Sequence, residues 1–139
     1  LGFVVWIKQV TNIKNGGIMK PETLMINDVK YVRADTVDAK AESLDGMPYQ
    51  IIRCDRSGVF AGYIEHREGQ EVTIRKARRI WYWDGAASLS QLAENGTKKP
   101  EGCKFPVEVD KIVVLDAIEI IDVTTSAKKS IDDVPVWSA

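Results

Sequence analysis

"YQIIRCDRSGVFAGYIEHREGQEVTIRKARRIWYW" occupies residues 49–83, and its reading decides the fold. Three runs rich in β-branched and aromatic residues, YQIIRC, GVFAGYIEHR and EVTIRKARRIWYW, are separated by two turn signals, Asp55-Arg56-Ser57-Gly58 and Arg67-Glu68-Gly69-Gln70. Strand-forming runs punctuated by Asp, Ser and Gly predict a three-stranded antiparallel meander. In the second turn Gly69 sits where a type I turn with a G1 bulge needs a positive φ. Strict alternation along the third run puts Val72 and Ile74 on one face, and Thr73, Arg75, Ala77, Arg79, Trp81 and Trp83 on the other. A bulge at Lys76-Ala77 would break that phase and separate the arginines from the tryptophans.

Downstream, Ser88-Leu89-Ser90-Gln91 has the form of a capping box, and helix formers run from it to Asn95-Gly96. A loop bracketed by Pro100 and Pro106 follows. Strand character then resumes in VDKIVVLDAIEIIDV, with Ile118, Ile120 and Val123 expected to face inward. Thr124 or Ser126 can cap a last short helix through Asp133, which Pro135 ends, and Trp137 either pins the tail or hangs free. Upstream, DTVDAKAESLDG at residues 35–46 predicts a short surface helix with Gly46 as its stop. The class is α+β: an antiparallel sheet, made of the meander plus C-terminal strands, with two or three short helices. Three regions are expected: a leader over residues 1–18, an N-terminal arm with a short helix over 19–48, and a compact α+β domain over 49–139. The leader reading rests on Gly16-Gly17, whose codons can spell a ribosome-binding sequence just ahead of Met19; the alternative is an ordinary glycine loop.

Composition narrows the function classes. With 139 residues, 45% hydrophobic, the chain is long enough for one domain with a real core. A formal net charge of −1 makes no bulk case for nucleic acid, so any basic patch is local. Cys54 and Cys103 lack CxxC or metal spacing and are expected as buried, reduced thiols of a cytoplasmic protein. A single His66 excludes multi-histidine metal sites and leaves little for a histidine-based triad. No run approaches the roughly 20 apolar residues that cross a bilayer, and LGFVVWIKQV lacks the flanks of a signal peptide. The expectation is therefore no metal, no cofactor and no membrane partner.

Two stretches carry candidate chemistry. Arg78 and Arg79 can grip phosphate bidentately while Trp81, Tyr82 or Trp83 stacks a base. The alternative is a tryptophan core whose arginines pair with Glu65, Glu68, Glu71 and Asp84. At the first junction, Ser57 and Gly58 can offer backbone N–H groups to an anion beside Arg56, with Phe60 just beyond and Gly62 leaving room for a flat ligand. The alternative there is an Asp-x-Ser-Gly turn with a glycine bulge. Catalytic readings are weaker. Glu65 and His66 alternate across a strand; Asp110, Asp116, Glu119 and Asp122 are scattered and make at most a weak cation site. No Walker, Rossmann or nucleophile-elbow pattern occurs. The candidate ligand-binding residues are Arg79, Arg78, Trp81, Trp83, Ser57, Gly58 and Phe60, with no catalytic residue and no enzyme activity expected.

The block from YQIIRC through ARRIWYWDGAASLSQLAENG to KFPVEVDKI, with AIEII after it, resembles a small protein family of tailed bacteriophages and prophages. That family's hallmark is similar to "YSAGVxxG…ARRxWxWxGAxxLxxxAxxG". The resemblance spans residues 49–121 and departs at Asp55-Arg56, where the family more often shows an aromatic residue. The chain also resembles phage anti-defence proteins that inhibit Thoeris immunity by sequestering its cyclic ADP-ribose signal. Those are β-rich, non-enzymatic sponges that form oligomers and bury nucleotide ligands between protomers. The resemblance implies a homo-oligomer, dimer or higher, in the cytoplasm of an infected bacterium. It would hold a cyclic ADP-ribose-type or cyclic-oligonucleotide signal without turnover and without nucleic acid as its usual partner. The alternative is a phage structural or interaction module that binds protein or single-stranded nucleic acid.

Overall fold

The computed structural model describes residues 6–8, 23–26, 29–33 and 39–139, the first three segments as backbone strands alone. The chain divides into two compact units, Leu1–Asp38 and Ala39–Ala139. In the first, β1 (Trp6–Lys8), β2 (Thr23–Ile26) and β3 (Val29–Arg33) form an antiparallel sheet in the order β1-β3-β2. Apart from β1, the leader expected over residues 1–18 lies outside the described residues.

The second unit is α+β. Its strands are β4 (Tyr49–Cys54), β5 (Val59–Glu68), β6 (Glu71–Arg79), β7 (Val109–Val114) and β8 (Ala117–Asp122), with helices α1 (Leu89–Asn95) and α2 (Thr125–Asp133). They form one antiparallel sheet in the order β7-β6-β5-β4-β8. That order has a geometric consequence. In a flat sheet the edge strands β7 and β8 would stand about 19 Å apart, four spacings of about 4.8 Å. Val114 and Ala117 are joined through Leu115 and Asp116 alone, a link that reaches at most about 11 Å. The sheet must roll. The Ala117 N–H donates to the Gln70 carbonyl at 3.0 Å, fastening the start of β8 to the β5–β6 turn.

Rolling gives the sheet two buried faces. Inside lie Ile52, Cys54, Phe60, Val72, Ile74, Ala77, Val114 and Ala117. On the outer face Tyr49, Ile51 and Ala61 meet Leu92 and Ala93 of α1, Ala127 and Ile131 of α2, and Phe105 of the connecting loop. The helices begin where the sequence says. The Ser88 hydroxyl accepts from the Gln91 N–H at 3.2 Å, and Gln91 Oε1 accepts from the Ala87 N–H at 2.8 Å. The Thr124 hydroxyl caps α2 by accepting from the Ala127 N–H at 3.1 Å.

Four local expectations are corrected. The described part of the segment expected as a helix, residues 39–46, is not helical. Asp45 and Gly46 instead take φ of 50° and 82° between Leu44 and Met47, which exchange two backbone hydrogen bonds of 3.0 and 2.8 Å. Asp-Gly with both φ positive is a type I′ hairpin turn rather than a helix stop. The β5–β6 hairpin closes over two residues, Gly69-Gln70, between the paired Glu68 and Glu71. Gly69, at φ 61°, occupies the first central position as in a type II′ turn, so the positive φ is present without the G1 bulge. Ile118 is 47% exposed, whereas Ile120 packs inward and Val123 is buried. Finally, β6 carries a bulge at Lys76-Ala77: Tyr63 pairs with Arg75 while Ala61 pairs with Arg78.

Two glycine substitutions separate these features. A Cβ on Gly69 meets nothing within 4 Å, so Gly69→Ala should cost only its positive-φ strain, about 1 kcal/mol. A Cβ on Gly62, opposite the bulge, would stand 2.6 Å from Ile74 Cγ2 and 2.8 Å from the Arg75 carbonyl. Gly62→Ala should therefore cost more, on the order of 1–3 kcal/mol. Urea unfolding of both variants checks the order; a Gly62→Ala protein as stable as the parent would contradict the bulge.

Candidate functional site

The bulge decides where the paired arginines go. Lys76 takes φ 50°, unusual for a side chain without a local amide, and this resets the alternation of β6. Arg78 consequently shares the outer face with Ala61, while Arg79 pairs with Phe60 of the inner face. Arg79 and Trp83 no longer lie in one row.

Arg78 is only 7% exposed. Its Nε donates to the Pro106 carbonyl at 3.1 Å and its Nη1 to that of Ile131 at 2.9 Å. Nη2 donates to the carbonyls of Phe105 at 3.1 Å and Val134 at 2.7 Å. Its guanidinium carbon lies 5.4 Å from the Phe105 ring centroid. Four of five N–H donors are thus committed to the fold. Burial lowers the pKa of Arg78 from its ordinary value, with Tyr49, Asp132 and Glu108 opposing that shift.

Arg79 joins the other predicted stretch. Its Nη1 donates to the Ser57 carbonyl at 2.7 Å, and its guanidinium carbon lies 4.4 Å from the Phe60 ring centroid. Gly58 is close enough that a Cβ there would stand 3.2 Å from Arg79 Nη1. The structure therefore brings Arg79, Ser57, Gly58 and Phe60 together, although they come from separate motifs. The anion expected at the Ser57 turn is supplied from within the chain. Asp116 Oδ2 accepts from the backbone N–H groups of Arg56 at 2.6 Å and Ser57 at 2.9 Å, and Oδ1 accepts from the Ser57 hydroxyl. The Ser57 hydroxyl and then the Arg56 N–H hold the Asp116 carboxyl below the usual carboxylate range. Burial, followed by the Asp116 charge, pushes the neighbouring Cys54 thiol up to about 11.

Beyond Arg79 the strand ends. Ile80 is buried, and its N–H donates to the Val59 carbonyl at 2.8 Å. Trp83 packs against the helix-side core, which makes it the structural member of the tryptophan pair. Trp81 is 63% exposed and Tyr82 51% exposed. Both are anchored through Lys104, whose carbonyl accepts from the N–H groups of Trp81 at 3.1 Å and Tyr82 at 3.3 Å. Trp137, 42% exposed, is pinned by its own N–H to the adjacent Phe105 carbonyl at 3.0 Å. Lys104 Nζ stands 5.9 Å from the Tyr82 ring centroid and 5.5 Å from that of Trp137. Lys104 and Trp137 had no motif to announce them; only their spacing in the folded chain joins them to the ARRIWYW run.

The scattered carboxylates have separate partners. Arg75 holds Glu65 at 2.9 Å and Asp110 at 3.1 Å, Arg53 holds Glu119 at 2.7 Å, and the Gln50 amide donates to Asp122 at 2.6 Å. Among the described residues no three His, Cys, Asp or Glu side chains converge as around a metal ion. No described helix is long and apolar enough to cross a membrane. Cys54 and Cys103 are buried and unbridged.

A family model described as a domain of unknown function (DUF6948) matches residues 47–131, more than half of the chain. No curated protein and no solved structure matches.

Arg78→Gln should destabilise by about 3–5 kcal/mol, since it strands buried carbonyls, while Arg79→Gln should cost about 1–2 kcal/mol. Denaturant unfolding reads both. Asp116 gives a pH prediction. Its folded pKa is depressed, so its stabilisation is present above the ordinary carboxylate pKa and is lost as pH falls through the folded value. Asp116→Asn should flatten the stability–pH curve below about pH 4; an unchanged acid limb would mean the Ser57 contact is not maintained in solution.

Proposed function

The chain belongs to the DUF6948 family, and from that premise we propose that it is a binding protein acting without turnover on a nucleotide-type ligand. The observation that carries this reading is the surface formed by Tyr82 and Trp137 around Lys104, with the exposed Trp81 next to Tyr82 in the chain. Exposed aromatic clusters on a well-packed domain mark interaction sites. Stacking of a base on such a ring contributes about 1–3 kcal/mol, and a lysine between two rings offers a charge for phosphate. We give this surface the base-stacking role because Arg78 spends four of its five N–H groups on carbonyls and Arg79 is held between the Ser57 carbonyl and the Phe60 ring.

The cellular role we propose is the one implied by the resemblance to phage proteins: sequestration of a nucleotide-derived immune signal in the cytoplasm of an infected bacterium. Absence of catalysis is supported by the state of two nucleophiles at the Ser57 turn. The Cys54 thiol is held protonated, and the Ser57 hydroxyl donates directly to Asp116 without an intervening base. A second reading has its own support. Val107 and Val136 are exposed and extend the apolar character of this loop and tail beyond what one base needs, which favours a protein interface, including a second copy of the chain.

The deciding experiment incubates the protein with a panel of cyclic nucleotides and cyclic ADP-ribose-type compounds, then denatures it and analyses what is released. Unchanged ligand supports sequestration. Altered ligand would establish an enzyme, and nothing bound would favour the interaction module. Trp81→Ala should weaken binding about tenfold or more while leaving the melting temperature nearly unchanged. Equal affinity in Trp81→Ala and Tyr82→Ala would remove this surface from consideration. Light scattering should report a dimer or higher oligomer.

A further inference from the structure

Beside the β6 bulge, a groove of about 420 Å³ opens between the strands and α2, and Trp81, Tyr82, Lys104 and Trp137 are not in its lining. Tyr49 and Tyr63 line it as an edge-to-face pair, their ring centroids 5.1 Å apart. Tyr49 is only 6% exposed, yet its hydroxyl has no hydrogen-bond partner among the described residues. A buried hydroxyl left without a partner is a standing cost that folds rarely retain. Burial, and then the Asp132 charge, raise the Tyr49 phenol well above its ordinary range, so it stays protonated and acts as a donor.

Two further donors on the groove lining are unspent. Lys76 is exposed, carries the positive φ of the bulge, and has no ion-pair partner among the described residues. A bulge next to a groove is a means of re-aiming one side chain. Arg78 also lines the groove and keeps one N–H, on Nη1, beyond the four it gives to carbonyls. The remaining charges do not cancel this excess. Lys128 pairs with Asp132 at 2.6 Å, leaving Glu108 against Lys76 and Arg78. The groove is net positive by one charge.

We infer that this groove binds a small organic anion. Its phosphate or carboxylate head meets the Tyr49 hydroxyl, the Lys76 ammonium and the remaining Arg78 N–H, and its apolar body lies against Tyr63 and Val136. The site does not depend on the nucleotide reading of the aromatic surface.

Isothermal titration calorimetry with phenyl phosphate, benzoate and inorganic phosphate tests it on the full chain, alongside melting of each variant. Phenyl phosphate or benzoate should bind the parent, and inorganic phosphate more weakly. Tyr49→Phe removes only the hydroxyl and should weaken binding about 2- to 10-fold, with the melting temperature unchanged or raised. Lys76→Gly removes the charge and relieves the backbone, and should weaken binding to a similar degree without loss of stability. Trp81→Ala should bind these probes like the parent. No binding to the parent, undiminished affinity in Tyr49→Phe, or a lowered melting temperature in Tyr49→Phe would each overturn the inference. The last would show that the hydroxyl serves the fold. Inorganic phosphate binding as tightly as phenyl phosphate would overturn the assignment of an organic ligand.

Discussion

One buried cation ties together the parts of the second unit that strand pairing does not. The C-terminal carbonyls of a helix have no partner within it, and they carry the negative end of its dipole. At the C-terminus of α2 the Ile131 carbonyl otherwise has only the 3.2 Å bond from the N–H of Val134, the residue just past the helix. The carbonyls of Ile131 and Val134 are met by the Arg78 guanidinium, which reaches them from a strand 53 and 56 positions earlier in the chain. The same guanidinium holds the carbonyls of Phe105 and Pro106, in the loop that returns from α1 to the sheet. A charge is tolerated here without a carboxylate because four carbonyl dipoles and the edge of the helix dipole replace its hydration. Helix, loop and sheet are thereby fixed at one point, and Phe105 is left fully buried beneath it.

Arg78 reaches that face only because β6 slips by one residue at Lys76. The strands β4, β5 and β6 and the alternation at the start of β6 were legible in the sequence, as were both helix caps, since each depends on neighbours within a few positions. The slip was not. A bulge with a left-handed residue usually announces itself with glycine there, and here that residue is a lysine. Its trace lies on the opposite strand, at Gly62, where the carbonyls of Arg75 and Lys76 crowd the space a side chain would occupy. A glycine read as an opening for a ligand is in fact filled by the chain itself. The Asp45-Gly46 turn failed in a similar way: the same dipeptide ends helices and turns hairpins, and only the strand-like pairing of Leu44 with Met47 decides between them.

The candidate site shows why local motifs overstate binding. The Ser57 turn does present N–H groups to an anion, as its sequence suggests, but the anion is Asp116, 59 positions further on. Asp116 belongs to the two-residue link that forces the sheet to roll, so closing the roll and filling the turn are one event. Nothing near Ser57 could have revealed this. Among the arginines and carboxylates the same principle holds: a charged side chain in a small domain has many internal partners, and the fold claims most of them.

What remains for a ligand is the set of groups the fold has not claimed, and these are not scattered at random. The exposed rings of Trp81, Tyr82 and Trp137 hang from Lys104 and Phe105, and the groove with the unpartnered Tyr49 hydroxyl is lined by Arg78 and Val136. Phe105 and Val136 are bridged to each other, and Arg78 Nη2 holds Phe105 directly. Both surfaces are therefore mounted on the same clasp. A ligand that took the last Arg78 N–H in the groove would stiffen the segment that carries the aromatic rings.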